Sequence, residues 1–538
     1  MQKDKYYAII YYIEKIIYRR NNHATDIQNR KSILHKKLKS YANSTMNYIQ
    51  SRWKIYWKSY LILLIIHVVG ILAILQADVY YADDVDRTAR GFRGFGNTFG
   101  RWVSEYLSAL LHTGRNLTNI SPLTQLLAVA ICAASALILI RVITETEKFS
   151  KWTYLAVIPL GLSPYFLECL SYQYDAPYMV LSVFFCIFPL LFAEKSLWIY
   201  GIVSFFCQLF MCESYQASSG IYSMLVLLMC FLAWNRGEST KSIGKFLLVS
   251  VAAYVAALIL FEILCNLFAN PDSISYVDAS IPTGTAFFEN AFENYKKFFS
   301  HIWNDFQKVW KLLIAIILFF FLFITTRESK RQKWLSLLCG GFTLIVLLML
   351  PFGVLPFLAS PTDSPRAMYG FGALLAMLTI VIVNAKPKFL NLCGKLSCVA
   401  LSFCFLIFSN IYGNALQIQQ DYTDTRTQTI IDDLIDLEVM DSEKTLYFQL
   451  DYTDDSWESP IFNKNPAYAY KYNNILGRLL GKNYGNTRWI EQKLTYYYDL
   501  DLKFDRSIDL STYDLPVLVD NQYHTISGND EYIYVVMK

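Results

Sequence analysis

Charge is scarce in this chain. Of its 538 residues only 17% are Asp, Glu, Lys or Arg, against roughly 25% in ordinary soluble domains, and 54% are apolar. Glycine (23) and proline (15) are too few for a collagen-like or low-complexity polymer, and 39 tyrosines with 37 phenylalanines argue against general disorder. No Walker sequence, His/Glu zinc motif or paired CxxC occurs, and the six histidines are scattered, which disfavours pumping by nucleotide hydrolysis and a His-based metal centre. The glycines of GFRGFG follow no strand and make a poor dinucleotide fingerprint. All eleven cysteines lie between Cys132 and Cys404, mostly inside apolar runs, so no disulfide framework is implied. The opening MQKDKYYAIIYYIEKIIYRR does not read as a secretory signal, because Glu14 and Lys15 interrupt its apolar stretch.

What is present is a series of long apolar runs between residues 60 and 414. A helix needs about 20 residues to cross the hydrocarbon core. Eleven candidate spans follow, at 60–76, 121–143, 152–167, 176–193, 197–211, 215–234, 246–268, 309–326, 334–357, 367–384 and 391–414. Those between 150 and 235 are crowded, with Pro159, Pro164 and Pro177 at their ends, so a re-entrant pair is an alternative there. Residues 1–59 carry thirteen Lys/Arg against three Asp/Glu, whereas 415–538 carry eleven against twenty-one, a net of −10. The positive-inside rule then puts the basic segment in the cytoplasm and every alternate basic loop with it. The segment 77–120, the loops near Glu168–Asp175 and Glu213, residues 269–308, the turn at Arg366 and the acidic tail fall outside.

The predicted organisation is a basic cytoplasmic segment (1–59) whose end fits an interfacial helix, a transmembrane domain (60–414) and a small extracytoplasmic domain (415–538). The last has no membrane-length run and shows strand-like KTLYFQL and EYIYVVMK beside a helical TQTIIDDLIDLEVM, predicting an α/β or α+β fold. Its Trp457, Trp489, Tyr496, Tyr497 and Tyr498 read as core aromatics before sugar-stacking faces.

Candidate chemistry gathers at external helix ends. Asp78, Asp83, Asp84 and Asp86 follow the first span, and Arg87, Arg90, Arg93 and Arg101 follow them. Carboxylates beside a low-dielectric wall can act as bases or hold a cation, and Arg suits phosphate; the alternative is a solvated loop whose charges pair among themselves. SPYFLECLSYQYDAPY places Glu168, Tyr172 and Asp175 near the mouth, with an ordinary N-cap as the other reading of Asp175. CESYQASSG adds Glu213, Tyr215 and Gln216, which could equally be helix caps. Arg366, after SPTDSP, could hold an anionic head group or pair with Asp363.

The run YYADDVDRTARGFRGFGNTFGRWVSEYLSALLHTGRNLTNISPLTQLLAV resembles the opening of the bacterial glucosyltransferase family II, membrane enzymes of serotype conversion. The similarity continues through PYFLECLSYQYDAPYMVLS, SYQASSGIY and SPRAMYGFG into YHTISGNDEYIYVVMK, and leaves out the basic N-terminal extension. The resemblance implies a membrane all-α polytopic bundle of GT-C type, with about 11 transmembrane helices and an acidic catalytic motif in the first external loop. It also implies transfer of a sugar, glucose by family expectation, from a polyprenyl-phosphate carrier to a surface polysaccharide on the outer side of the cytoplasmic membrane. By position Asp83 and Asp84 match the acidic pair, Arg87 and Arg101 its following arginines, Glu168, Tyr172 and Asp175 the second polar motif, and Tyr215, Gln216 and Arg366 weaker points.

The mechanism that fits is inverting transfer with Asp83 or Asp84 as base, the leaving phosphate being stabilised by Arg87, Arg101 or Arg366. No cofactor is certain. A divalent metal beside the aspartates is an open alternative, although a monophosphate carrier can be neutralised by Arg alone. The implied partners are the lipid-linked donor, the polysaccharide acceptor and the bilayer, and no nucleic acid. A transporter or flippase of a lipid-linked sugar is the competing class, supported by Glu262 inside the seventh span. A surface adhesion module is a third.

Overall fold

A computed structural model describes residues 51, 54–91, 93–194, 196–269, 280–386, 389–439, 446–451, 474–484, 491, 493–494, 502–504 and 507–538. The basic segment 1–50, with the first part of the expected interfacial helix, lies outside them, as do Trp457, Trp489, Tyr496, Tyr497 and Tyr498. The chain divides into two compact units, Met1–Leu61 and Ile62–Lys538.

The protein is mostly helical. Among the described residues seven helices are long and apolar enough to cross a membrane: Lys54–Ala77, Leu123–Thr144, Gln216–Asn235, Thr240–Phe268, Lys308–Glu328, Lys333–Phe352 and Leu392–Asp436. Three shorter apolar helices, Ala176–Phe192, Leu197–Cys212 and Gly370–Val383, coincide with three more of the expected spans. The stretch expected as a span at 152–167 is instead three pieces, Lys151–Ala156, Pro159–Leu162 and Phe166–Ser171. Proline supplies the reason: Pro159 and Pro164 have no N–H to continue an α-ladder, and Ser163 between them is extended, with ψ of 146°. Such irregular backbone is tolerated at membrane depth only when wrapped by protein, and Ala156 to Val180 are buried throughout.

Small residues let the helices approach. A Cβ on Gly413 would fall 2.4 Å from the Ala73 carbonyl carbon, and nearby Ser409 Oγ donates to the Gly70 carbonyl at 2.5 Å. One face of each helix thus becomes a close seam held by dispersion and one hydrogen bond. Thr285–Asp305 differs from the spans: it mixes charge with aromatics, buries Phe298 against Phe352 at 4.7 Å between ring centroids, and exposes Phe288, Phe292 and Trp303. That pattern suits a helix lying in the membrane interface, as its YKKFFSHIW sequence suggests.

The helix Phe389–Asp436 runs 48 residues without interruption from the apolar region into the acidic tail. Its final turns bring Ile430, Ile431 and Leu434 onto a five-stranded sheet and form a core with Phe448, Ile526, Ile533 and Val535. The strands are β1 (Leu446–Asp451), β2 (Leu502–Phe504), β3 (Val517–Asp520), β4 (His524–Gly528) and β5 (Tyr532–Met537), in the order β2-β1-β5-β4-β3. β1 pairs parallel with β2 and β5, and β3–β4–β5 is an antiparallel meander. Residues alternate between buried and half-buried along β4 and β5, as a sheet covered on one face requires.

Candidate active site

The loop after the first span reverses the chain through left-handed Asp78 (φ 45°) and Ala82 (φ 48°) and starts the short helix Asp84–Arg90. The two neighbouring aspartates are thereby sent into different surroundings. Asp84 is wholly buried; its Oδ2 accepts from the backbone N–H of Tyr81 at 3.1 Å and of Gln173 at 2.8 Å, while its Oδ1 is buried with no hydrogen-bond partner. Burial pushes its carboxyl well above the usual carboxylate range, against the opposite pull of those two donors. Asp83 is half-buried, and its carboxylate makes no hydrogen bond to the described residues. Its charge acts on Arg87, Arg366, Asp175 and Tyr172.

Arg87 lies one turn after Asp83. Its Nη2 donates to Asp175 Oδ2 at 2.9 Å, its Nη1 to the Arg93 carbonyl at 2.7 Å, and its guanidinium sits 4.3 Å from the centre of the Phe95 ring. Burial by itself would favour discharging the guanidinium; Asp175, Asp83 and Asp84 outweigh it and hold the group above its ordinary value. Asp175 occupies the N-cap position of its helix, yet makes no capping hydrogen bond, so its carboxylate is committed to Arg87. Glu168 and Asp175 do not share a helix face, because Phe166–Ser171 ends before the next helix starts at Ala176. Each faces its own arginine instead.

That second arginine is Arg366. Its backbone N–H donates to Glu168 Oε2 at 2.7 Å, its Nε lies 3.7 Å from Glu168 Oε1, and its Nη1 donates to the Tyr172 hydroxyl. Pairing of Arg366 with Asp363 does not occur: Asp363 accepts from Lys297 at 2.9 Å and is 3.0 Å from His301 Nε2, and His301 with Lys297 hold its carboxyl below the usual range. Tyr215 donates to the Arg366 carbonyl at 3.3 Å. Arg101 donates from Nε to Gln216 Oε1 at 3.0 Å and lies 4.6 Å from the Phe99 ring centre and 4.7 Å from that of Tyr215. Of the ten residues singled out in the sequence, Glu168, Tyr172, Arg366, Tyr215, Arg101 and Gln216 form one chain of contacts and Arg87 with Asp175 a separate pair, while Asp84 is tied to main-chain N–H groups and Asp83 is linked to the others by charge alone.

Several partners escaped the sequence. The main-chain N–H groups of Tyr81 and Gln173 carry no sequence signal. Tyr81, fully buried, stacks edge-on to Tyr172 at 5.1 Å and donates to the Leu479 carbonyl at 2.6 Å. Leu479 belongs to the helix Asn474–Tyr484 of the acidic tail, whose Arg478 pairs with Asp305 and donates to the Asp363 carbonyl. Asp305 also accepts from Tyr165 at 2.9 Å. The acidic tail thus grips the site's own loop and the loop before Arg366. Among the described residues no group of three or more His, Cys, Asp or Glu side chains is arranged to hold a metal ion.

A helical protein with membrane-length spans that gathers carboxylates and arginines where apolar helices end has the layout of a membrane protein with a polar site at its helix ends. The particular family follows from its sequence: the profile of the family Glucosyl transferase GtrII matches residues 72–377, more than half of the chain, and the chain belongs to this family. It is also similar to the "Uncharacterized 55.3 kDa protein in gtrB 5'region" of Salmonella phage P22, 27% identical over 186 residues. That stretch is 34% of this chain and 37% of the phage protein, so the likeness spans little more than a third of the relative's length. No solved structure matches.

Proposed function

We propose that this protein transfers a hexose, glucose by its family, from a polyprenyl-phosphate carrier to a surface polysaccharide at the outer face of the cytoplasmic membrane. The observation that carries the reading is the divergence of the two aspartates: Asp83 is half-buried, its carboxylate makes no hydrogen bond to the described residues and its charge acts on Arg87 and Arg366, while Asp84 is wholly buried. Asp83 is the base and Asp84 a positioning residue that ties the loop to Gln173. An acceptor hydroxyl attacks the anomeric carbon from the face opposite the phosphate and gives its proton to Asp83. The bond from the anomeric carbon to the phosphate oxygen breaks, and the carrier phosphate leaves with the electron pair. Arg366, Arg87 and Arg101 face the charge that develops, an electrostatic contribution of the kind that dominates many transfer reactions. Glu168, Tyr172, Asp175, Tyr215 and Gln216 fix those arginines and complete the sugar pocket. No step is routed through a metal.

The architecture that accompanies this reading is a GT-C type bundle of eleven passes, the segment 151–171 counted as a broken one. The basic N-terminus is cytoplasmic by the charge rule, and residues 415–538 form an extracytoplasmic domain. Glu262, the residue that speaks for the flippase alternative, is exposed and lies six residues before the end of Thr240–Phe268.

Transfer of labelled glucose from synthetic polyprenyl-phosphate-glucose to envelope polysaccharide tests the proposal. Asp83→Asn is expected to lower transfer about 10²- to 10⁴-fold at unchanged protein level, the usual range for a lost general base. Full activity in Asp83→Asn sinks the assignment, and translocation of labelled lipid without transfer moves the protein to the flippase class.

A further inference from the structure

Beside the cluster just described the external loop encloses a second space, a cavity of about 1390 Å³. Pockets for single small ligands run to roughly 300–1,000 Å³, so this one is sized for an extended molecule. Its walls are the glycine-rich turns around Gly91, Gly94 and Gly114, the helix Trp102–Leu111, and the end of Thr240–Phe268. The helix Trp102–Leu111 separates the two spaces. At its N-cap Arg101 reaches Gln216 and the Tyr215 ring, whereas Trp102 and Tyr106, four residues apart on one face, line the cavity. The other shared wall is Arg93: its carbonyl is held by Arg87, and its guanidinium lines the cavity 3.2 Å from Glu105.

The lining points to a chemistry. Glu105 is structural, since it accepts from the backbone N–H groups of Phe95 and Gly96 as well as pairing with Arg93. The side chains of Asn97, Arg115, Asn116 and Glu213 also line the cavity and have no hydrogen bond or ion pair to the described residues. They offer donors and acceptors of both kinds next to two aromatic faces. A lipid tail would find apolar wall at Ala109, Leu264 and Phe268 but would leave the side chains of Asn97, Arg115, Asn116 and Glu213 unsatisfied, and a polyanion would meet Glu105 and Glu213 as well as Arg90, Arg93 and Arg115. A chain of sugar rings matches both halves, its hydroxyls meeting the mixed polar groups and its C–H faces the indole and phenol rings.

We infer that this cavity is the acceptor subsite, a binding site for several consecutive sugars of a largely uncharged polysaccharide, with Tyr106 and Trp102 as the stacking platform and Arg115, Asn116 and Glu213 as hydroxyl readers. The inference rests on the transferase reading for its role in catalysis, but the binding it asserts is independent of transfer. None of these residues belongs to the Asp83–Arg87–Arg366 cluster. Tyr106 and Arg115 are exposed, so their truncation leaves the fold intact.

The test uses the full chain in lipid nanodiscs and end-labelled oligosaccharides cut from the host's surface polysaccharide. With donor saturating, Tyr106→Ala and Arg115→Ala are expected to raise the acceptor KM about tenfold or more, leave kcat within twofold, and leave the donor KM unchanged. Tyr106→Phe keeps the ring and restores the acceptor KM. Equilibrium binding of the same oligosaccharides to donor-free protein weakens in parallel. An unchanged acceptor KM with unchanged binding overturns the inference, and a shift confined to the donor KM overturns it in favour of the lipid. If the unsubstituted protein binds oligosaccharide, Tyr106→Ala abolishes that binding and neither form transfers sugar, the transferase reading fails while the glycan site stands.

Discussion

The rim of the helical bundle and the C-terminal sheet solve the same problem with opposite materials. The sheet buries alternate Ile, Val, Leu and Phe side chains under the last turns of Phe389–Asp436. The rim buries Asp84, Arg87, Glu168 and Asp175 within about ninety residues of chain, and closes them against one another and Arg366. Apolar burial is forgiving, since a shortened side chain loses area and leaves a cavity. A buried ion pair is not, because removing one partner strands the other in low dielectric. The comparison teaches where each substitution will register: in the sheet as stability alone, at the rim as stability and chemistry together.

The sharpest break comes from Arg87→Ala. Asp175 loses its partner, and the expected cost is about 3–5 kcal/mol, the usual penalty for stranding a buried charge. Transfer should vanish and the thermal midpoint in detergent should fall; a normal midpoint would show that the pair is not sealed. Ile533→Ala, at a buried position of β5, should cost about 2–5 kcal/mol by cavity formation. Chymotrypsin sensitivity of the tail would rise, yet transfer per folded molecule should stay near that of the parent protein, and a large loss of specific activity would erase the division between the two regions.

Asp84→Asn sharpens the contrast from the other side. The amide oxygen still accepts from Tyr81 and Gln173, and the buried charge is gone, so the fold is expected to persist at or above parental stability with transfer retained within about tenfold, unlike a general-base loss. Since the folded carboxyl titrates above its unfolded value, its favourable contribution is complete at low pH and is lost as pH rises through the folded value. The Asn variant should therefore gain thermal midpoint over the parent at pH 7.5, with the gap closing toward pH 5; a constant gap would mean that Asp84 stays charged throughout. The smallest effect belongs to the sheet. His524 is buried on β4 with Asp433 at 2.7 Å, near Arg426 and Lys538, and burial lowers its pKa. Its contribution is present above about pH 6.5 and is lost as pH falls through the lowered value. His524→Gln should flatten that acid limb in thermal melts of the full chain.

The burial of charge at the rim was partly legible in sequence for a physical reason: charged residues near apolar runs stand out, and most of the candidates sat close to the end of a span. That brought Asp83, Glu168, Asp175, Tyr215 and Arg366 into view from distant segments. The sequence could not separate Asp83 from Asp84, because what distinguishes them is the left-handed turn at Ala82 and two main-chain donors, one of them 89 residues away. The choice between an N-cap and an ion pair for Asp175 likewise depended on where Arg87 lands. The strands at 446–451 and 532–537 were visible from their Tyr/Val/Ile runs. The tail helix bearing Arg478 and Leu479 was not, since its role is to offer a backbone carbonyl and one guanidinium to partners 173 and 398 residues away in sequence.

The unbroken helix Phe389–Asp436 acts as a drive shaft. At about 1.5 Å per residue it is roughly 72 Å long, more than twice the thickness of a hydrocarbon core. It is held at mid-length by the seam at Ser409 and Gly413, and near its C-terminal end by the sheet on Ile430, Ile431 and Leu434. Between these two fixed points, angular phase matters as much as length. One residue added near Asp421 would turn everything beyond it by about 100° and swing the apolar stripe off the sheet, whereas seven added residues would return it almost to its starting angle about 10 Å farther out.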